Sequence, residues 1–163
     1  MRAGLTSSGF LVGLVSLGLC ACFSGPRLAP DSSDQQAKAF VPSDGKAAIY
    51  VFRHSRGRGY RVPIPLSIDG QRFGVIASKT YYVVEVEPGS HEVWLGWGPE
   101  EVHNAKLIPL AVNVVAGQTY FVRAGTISNE SHKTVDALTG KKELLSCCKL
   151  AAPPVRASSS LFK

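Results

Sequence analysis

From residue 46 onward this chain reads as an all-β protein: an antiparallel β-sandwich of six to seven short strands with one short C-terminal helix. Two observations predict that class. Short apolar runs rich in β-branched and aromatic residues recur between residues 46 and 124, with Gly-containing turns between them. The segment with an apolar stripe at helical spacing comes late, at residues 141–150, where Leu144, Leu145 and Cys148 can share one face.

The strands follow in order. Ala47-Ala48-Ile49-Tyr50-Val51-Phe52-Arg53 is almost continuously apolar, the pattern of a central strand buried on both faces. Leu66-Ser67-Ile68 and residues 72–76 flank Asp69-Gly70, a two-residue hairpin signal. Residues 80–87 alternate, with Tyr82, Val84 and Val86 on one face and Glu85 and Glu87 on the other. Pro88-Gly89 makes a turn, and a return strand starts at His91-Glu92-Val93-Trp94-Leu95. Residues 108–115 and 118–124 form two more strands joined by Ala116-Gly117, with Leu110, Val112 and Val114 on one face.

The N-terminus reads differently. Arg2 precedes an uncharged apolar run from about Gly9 to Leu19, and Ser24-Gly25-Pro26-Arg27 ends the hydrophobic region. That is shorter than the roughly 20 apolar residues a membrane span needs, and it has the layout of a secretory signal peptide. Leu19-Cys20-Ala21-Cys22 resembles the bacterial lipobox, in which a small residue precedes the Cys whose sulfur takes the diacylglycerol group. Cys22 is the expected lipidation site, because Leu19 directly before Cys20 fits the small-residue requirement poorly. Phe23 follows it rather than the Asp that favours inner-membrane retention, so the resemblance implies the outer membrane of a Gram-negative cell. The expected organisation is a signal peptide at 1–21, a flexible Ser/Pro/Asp/Gln-rich tether at 22–45, the β-sandwich at 46–150 and a disordered tail at 151–163. A tether of about 20 residues spans near 25 Å, enough to lift a small domain off the headgroups.

Charge and cysteines limit the function classes. The chain carries 18 Lys+Arg against 12 Asp+Glu, and the signal segment removes only Arg2. For an exported protein that basic balance suits anionic envelope surfaces or plain solubility, and no nucleic-acid partner is expected. With Cys22 acylated, the cysteines left are the vicinal pair Cys147-Cys148. Two buried thiols are the first reading; a redox pair or an intermolecular bridge are the alternatives.

Two stretches could bind a partner. Arg53-His54-Ser55-Arg56-Gly57-Arg58-Gly59-Tyr60-Arg61 places Arg53, Arg56, Arg58 and Arg61 between two strands, either as an anion-binding loop of guanidinium forks or as a solvated hairpin tip. In Trp94-Leu95-Gly96-Trp97-Gly98, inward Val93, Leu95 and Trp97 leave Trp94 outward to stack on a ligand, unless a helix or loop covers it. For catalysis, Glu100, Glu101 and His103 lack a matched nucleophile, and nothing fixes the geometry of Ser131, His132 and Asp136. The histidines at 54, 91, 103 and 132 have no metal-ligand spacing, so no catalytic residue, metal or cofactor is expected.

The stretches Ala48-Ile49-Tyr50-Val51-Phe52-Arg53, Ser67-Ile68-Asp69-Gly70 and Val86-Glu87-Pro88-Gly89-Ser90-His91-Glu92-Val93 carry a further resemblance. Their order and spacing over about residues 46–125 are similar to those of the domain-of-unknown-function 2846 family of small bacterial lipoproteins. The last two also look like PEGA-type surface modules, which pair an I-D-G hairpin with a P-G-x-H turn. The resemblance implies a PEGA- or transthyretin-like sandwich in the cell envelope and brings no catalytic residues. The expected function is therefore non-enzymatic binding by a membrane-anchored domain, with an envelope protein, a glycan or an anionic lipid as partner. A structural envelope component without a discrete ligand, and a thiol/redox protein using Cys147-Cys148, are the alternatives.

Overall fold

A computed structural model describes residues 25–54, 61–96, 109–125 and 132–152. All seven residues of β1 (Ala47–Arg53) are buried, as its composition predicts. It sits in the middle of a five-stranded sheet ordered β8-β7-β1-β4-β9, with β4 at Thr80–Val86, β7 at Thr119–Arg123, β8 at Lys133–Val135 and β9 at Lys149–Leu150. A four-stranded sheet ordered β3-β2-β5-β6 packs on one face, from β2 (Ile64–Ile68), β3 (Gln71–Ile76), β5 (Gly89–Leu95) and β6 (Leu110–Val114).

The two faces of β1 feed two cores. Ala47, Ile49 and Val51 meet Leu66, Ile68, Ile76, Val93, Leu95, Val112 and Val114 between the sheets. Ala48, Tyr50 and Phe52 point the other way, with Tyr81 and Phe121, onto a helical layer. That layer is α1 (Asp31–Ala37) and α2 (Ala137–Cys147). In β4, Tyr82, Val84 and Val86 face the inter-sheet core, the face their alternation selects.

The hairpin at Asp69-Gly70 forms as expected: φ is 50° at Asp69 and 74° at Gly70, the pair of positive angles that a type I′ turn requires. Next to it, Leu66 faces Gly74 while Ser67 faces Arg72, so Phe73 is an extra residue that bulges β3.

Several expectations need correction. The strands number nine among the described residues rather than six or seven, because β8 and β9 span only three and two residues. The larger sheet is mixed: β1 runs parallel to β7, and β4 parallel to β9. The β1–β7 pairing arises because Pro88-Gly89 and Ala116-Gly117 do not close hairpins. Each carries the chain from one sheet to the other, and β7 lands beside β1 with the amide of Gly117 on the Lys46 carbonyl at 2.7 Å.

The segment read as tether is part of the domain from residue 25. Leu28 bridges Ala151, and α1 packs on the sheet with Asp34 only 3% exposed. Its docking is polar, which a search for apolar surface does not detect. Likewise Ala151 and Ala152, placed in the tail, are bound to the Tyr81 and Arg27 carbonyls at 2.8 and 2.7 Å.

The late helix lies four residues earlier than expected at its start, because Asp136 caps it by accepting from the Thr139 amide at 2.9 Å. Leu144 and Cys148 face the sheet, whereas Leu145 is 56% exposed and does not share their face. Buried Gly140 permits the close approach: a Cβ there would stand 2.2 Å from Cγ of Phe121.

Candidate functional site

Polar chemistry gathers under α1, on the helical face of the larger sheet. Alternation along β1 and β4 aims Tyr50 and Tyr81 outward together, their rings stacked with centroids 6.1 Å apart. Phe40 closes on Tyr50 at 5.2 Å, from a backbone turned to φ 56°. The Tyr50 hydroxyl donates to the Ala37 carbonyl at 2.7 Å, pinning the end of α1.

Asp34 is the hub. Its carboxylate accepts from the Tyr81 hydroxyl at 3.0 Å, the Leu150 amide at 2.8 Å and Lys38 Nζ at 2.8 Å. Burial pushes the carboxyl up, but the bonds from Lys38, Leu150 and Tyr81 outweigh it and hold Asp34 below the usual carboxylate range. The same network, after burial, drives the Tyr81 phenol far up. Tyr50 is pushed up to about 12 by burial and then by Glu85. Neither phenol is a proton acceptor at neutral pH.

Beside α1 a groove of about 330 Å³ opens between Gln36, Val41, Ser43, Tyr50, Val83 and Glu85. Its carboxylate is already engaged, Glu85 accepting from the Ser43 amide at 2.9 Å and the Ser43 hydroxyl at 2.8 Å. The groove can seat a small, partly apolar group; among the described residues its lining brings no histidine to the Ser43–Glu85 pair.

Cys147 and Cys148 form a vicinal disulfide at the end of α2, in place of the two buried thiols of the first reading. Cys148 is buried with its Sγ 3.7 Å from the Arg53 carbonyl oxygen, and Cys147 is partly buried against the same core. Lys38 Nζ donates to the Cys148 carbonyl at 2.8 Å, so the bridge joins both helices to the end of β1.

The four candidate arginines do not share one environment. Arg53 is not a loop residue: its side chain is fully buried at the end of β1, donating to the Val62 carbonyl at 2.5 Å and the Ile76 carbonyl at 3.4 Å. Burial holds its guanidinium below the usual arginine range. Its apolar strand context made that location readable, since Arg53 continues the buried run of β1. Arg61 is exposed ahead of β2, and Arg56 and Arg58 lie outside the described residues, as does Cys22. Trp94 lies on the outer face of β5 opposite Ser67, half-buried between inward Val93 and Leu95; Trp97 is outside the described residues.

The histidines have structural engagements. His91 Nδ1 meets Asp69 Oδ2 at 2.6 Å and its Nε2 meets the Glu87 carbonyl at 2.7 Å, which ties the β2–β3 turn to the crossing at Pro88-Gly89. Burial pulls this imidazole down, and Asp69 with Glu87 outweighs it, leaving the pKa raised. His132 accepts from the Gly125 amide at 3.0 Å, and burial, with Arg53 nearby, keeps it below its ordinary value. Asp136 is the α2 cap; Glu100, Glu101, His103 and Ser131 lie outside the described residues. The described residues hold no cluster of three metal-ligating side chains.

Asp34 and Lys38 were missed by sequence reasoning. Their signal was the i,i+4 spacing of opposite charges just after Pro30, a helix-start pattern hidden in a polar segment.

Residues 43–137 match the family model described as "Protein of unknown function (DUF2846)". That span holds β1 to β8 and stops at the start of α2, so α1, β9 and the vicinal disulfide lie outside it. No curated protein matches the chain. With more than half of its length matched, through the strands that build both sheets, this chain belongs to the DUF2846 family.

Proposed function

We propose that this protein is a lipoprotein of the bacterial cell envelope, anchored through lipid on Cys22 and directed to the outer membrane, whose sandwich is a non-enzymatic binding module. The observation that carries the reading is Leu19-Cys20-Ala21-Cys22 closing a short apolar run behind Arg2. Phe23 at the next position supports the outer membrane. The bond from Asp69 to His91 supports a relationship to PEGA-type modules, because it joins the I-D-G turn and the P-G-x-H turn into one device.

Half-buried Trp94 on an outer sheet face and exposed Arg61 support recognition of an envelope protein, a glycan or an anionic lipid. The engagement of His91, His132 and Asp136 in turns and caps supports a binding role over an enzymatic one. The anchor is tested by acyl labelling in cells: wild type takes up labelled palmitate, and Cys22→Ala does not and is released in soluble form. Retention of the Cys22→Ala protein like wild type would refute it. In-cell crosslinking from Trp94 and Arg61 then identifies the partner.

A second reading, thiol–disulfide exchange, is favoured by the existing bridge, in which Cys147 is less deeply buried than Cys148. Its test is capture of a mixed disulfide with a thiol partner by a Cys148→Ser variant in the envelope.

A further inference from the structure

A lipid anchor on Cys22 would leave this domain almost no freedom above the bilayer, because residues 25–29 are packed against the fold and Gly25 is three residues from that cysteine. Gly25 lies beside Ala77: a Cβ on Gly25 would stand 4.0 Å from the Ala77 Cβ. The chain then runs along β9. The Arg27 carbonyl accepts from Ala152 at 2.7 Å, Leu28 bridges Ala151 antiparallel, and the Ala29 amide donates to Leu150 at 2.9 Å.

Only Phe23 and Ser24 separate Cys22 from Gly25. Three Cα–Cα steps reach at most about 11 Å. Each headgroup layer of a bilayer is itself roughly 5–7 Å thick. An acylated Cys22 therefore draws this edge of the domain down to the headgroups, where a span near 25 Å would have left it clear.

The chemistry of the edge fits such a surface. Arg27, Lys79 and Lys149 are exposed there, against one exposed carboxylate, Asp31, which pairs with Lys149 at 3.1 Å. Leu28 is 54% exposed in the same segment. Phe23, next to the anchor, is an apolar residue of the kind that interfacial segments bury at the headgroup boundary.

We propose that residues 25–29, 77–79 and 149–152, the β9 edge of the larger sheet, rest on phospholipid headgroups, so that the β8 edge faces away from the membrane. This orientation rests on the lipoprotein reading above. Four strand spacings separate the two edges, about 19 Å. The short β9, an exposed sheet edge otherwise open to strand pairing, is covered by residues 25–29 on one side and lies against lipid.

The test uses the full lipidated protein in vesicles of phosphatidylethanolamine and phosphatidylglycerol that carry a headgroup nitroxide quencher. A fluorophore is placed at Lys79→Cys, at Arg27→Cys as a second near site, and at Lys133→Cys on the far edge. Severalfold stronger quenching at 79 and 27 than at 133 is the expected result. Equal quenching at near and far sites in protein that still floats with the vesicles would overturn the orientation and leave the anchor standing. Failure to float, matching Cys22→Ala, would instead sink the anchor reading and the orientation with it. An insertion of about 12 Gly/Ser residues after Ser24 adds a span of roughly 19 Å. It should equalise the sites while flotation persists; a preserved near-site preference would show that the short link is not what orients the domain.

Discussion

The hydroxyl of Tyr81 donates to the carboxylate of Asp34 at 3.0 Å, bonding a strand of the larger sheet to a helix 47 residues earlier in the chain. Through that one carboxylate, α1, β4, β9 and Lys38 are held together. Asp34→Ala takes the carboxylate acceptor from the Leu150 amide and the Tyr81 hydroxyl and leaves Lys38 with the Cys148 carbonyl alone, at an expected cost of about 2–4 kcal/mol. A urea titration should show the midpoint fall. Amide exchange should rise first in α1 and β9; uniform protection of both would contradict the role given to Asp34.

Gly140→Ala raises intrinsic helix propensity by about 1 kcal/mol yet is expected to destabilise the protein. The new Cβ meets the Phe121 ring at 2.2 Å, and shifting α2 or the ring costs about 1–3 kcal/mol. Trimming the ring with Phe121→Leu should make the alanine less harmful, so thermal melts of the double-mutant cycle should report coupling. Additive effects would place the problem elsewhere.

The Asp69–His91 pair makes stability depend on pH in a defined window. The His91 pKa is raised in the folded state above its ordinary 6.5, so its contribution is full below that value and is lost as pH rises through the higher folded pKa. The Asp69 pKa is lowered from 3.8, so its contribution is present above 3.8 and is lost as pH falls through the depressed value. The pair therefore helps most between pH 3.8 and 6.5. As Asp69 is exposed, the gain stays below about 1 kcal/mol. Chemical denaturation at pH 5 and pH 8 should show wild type losing a stability increment that Asp69→Asn does not lose.

Arg53 and Arg61 should behave differently despite lying in one arginine-rich stretch. Arg53→Ala removes a fully buried side chain and the donor to the Val62 and Ile76 carbonyls, at an expected cost of about 3 kcal/mol or more. Arg61→Ala, at an exposed position, should stay within about 0.5 kcal/mol. Differential scanning calorimetry of the two variants decides it, and equal melting shifts would contradict the assigned burial.

The local elements were largely legible in the sequence. The unbroken apolar run of β1, the alternation of β4 and the Asp69-Gly70 turn are properties of a few neighbouring residues, and each took the predicted form. The candidate sites were less legible. Arg53 looks like its loop neighbours when charge is counted, and only strand continuation separates it from Arg61. Asp34 looks like tether because its value lies in acceptor geometry, not hydropathy.

What the sequence determined by itself was the all-β class, the position of the main strands and the I′ hairpin, since a two-residue period and positive backbone angles are written locally. Only the tertiary structure decided which sheet each strand joins. The turns at Pro88-Gly89 and Ala116-Gly117 suit a hairpin or a crossing equally well, and the choice was made by where Val93, Val112 and Val122 find buried partners. The same holds for α1: residues 31–37 have too little apolar surface to order alone, and they become a helix because Tyr50, Tyr81 and Leu150, distant in the chain, present the hydrogen-bond partners their polar groups need.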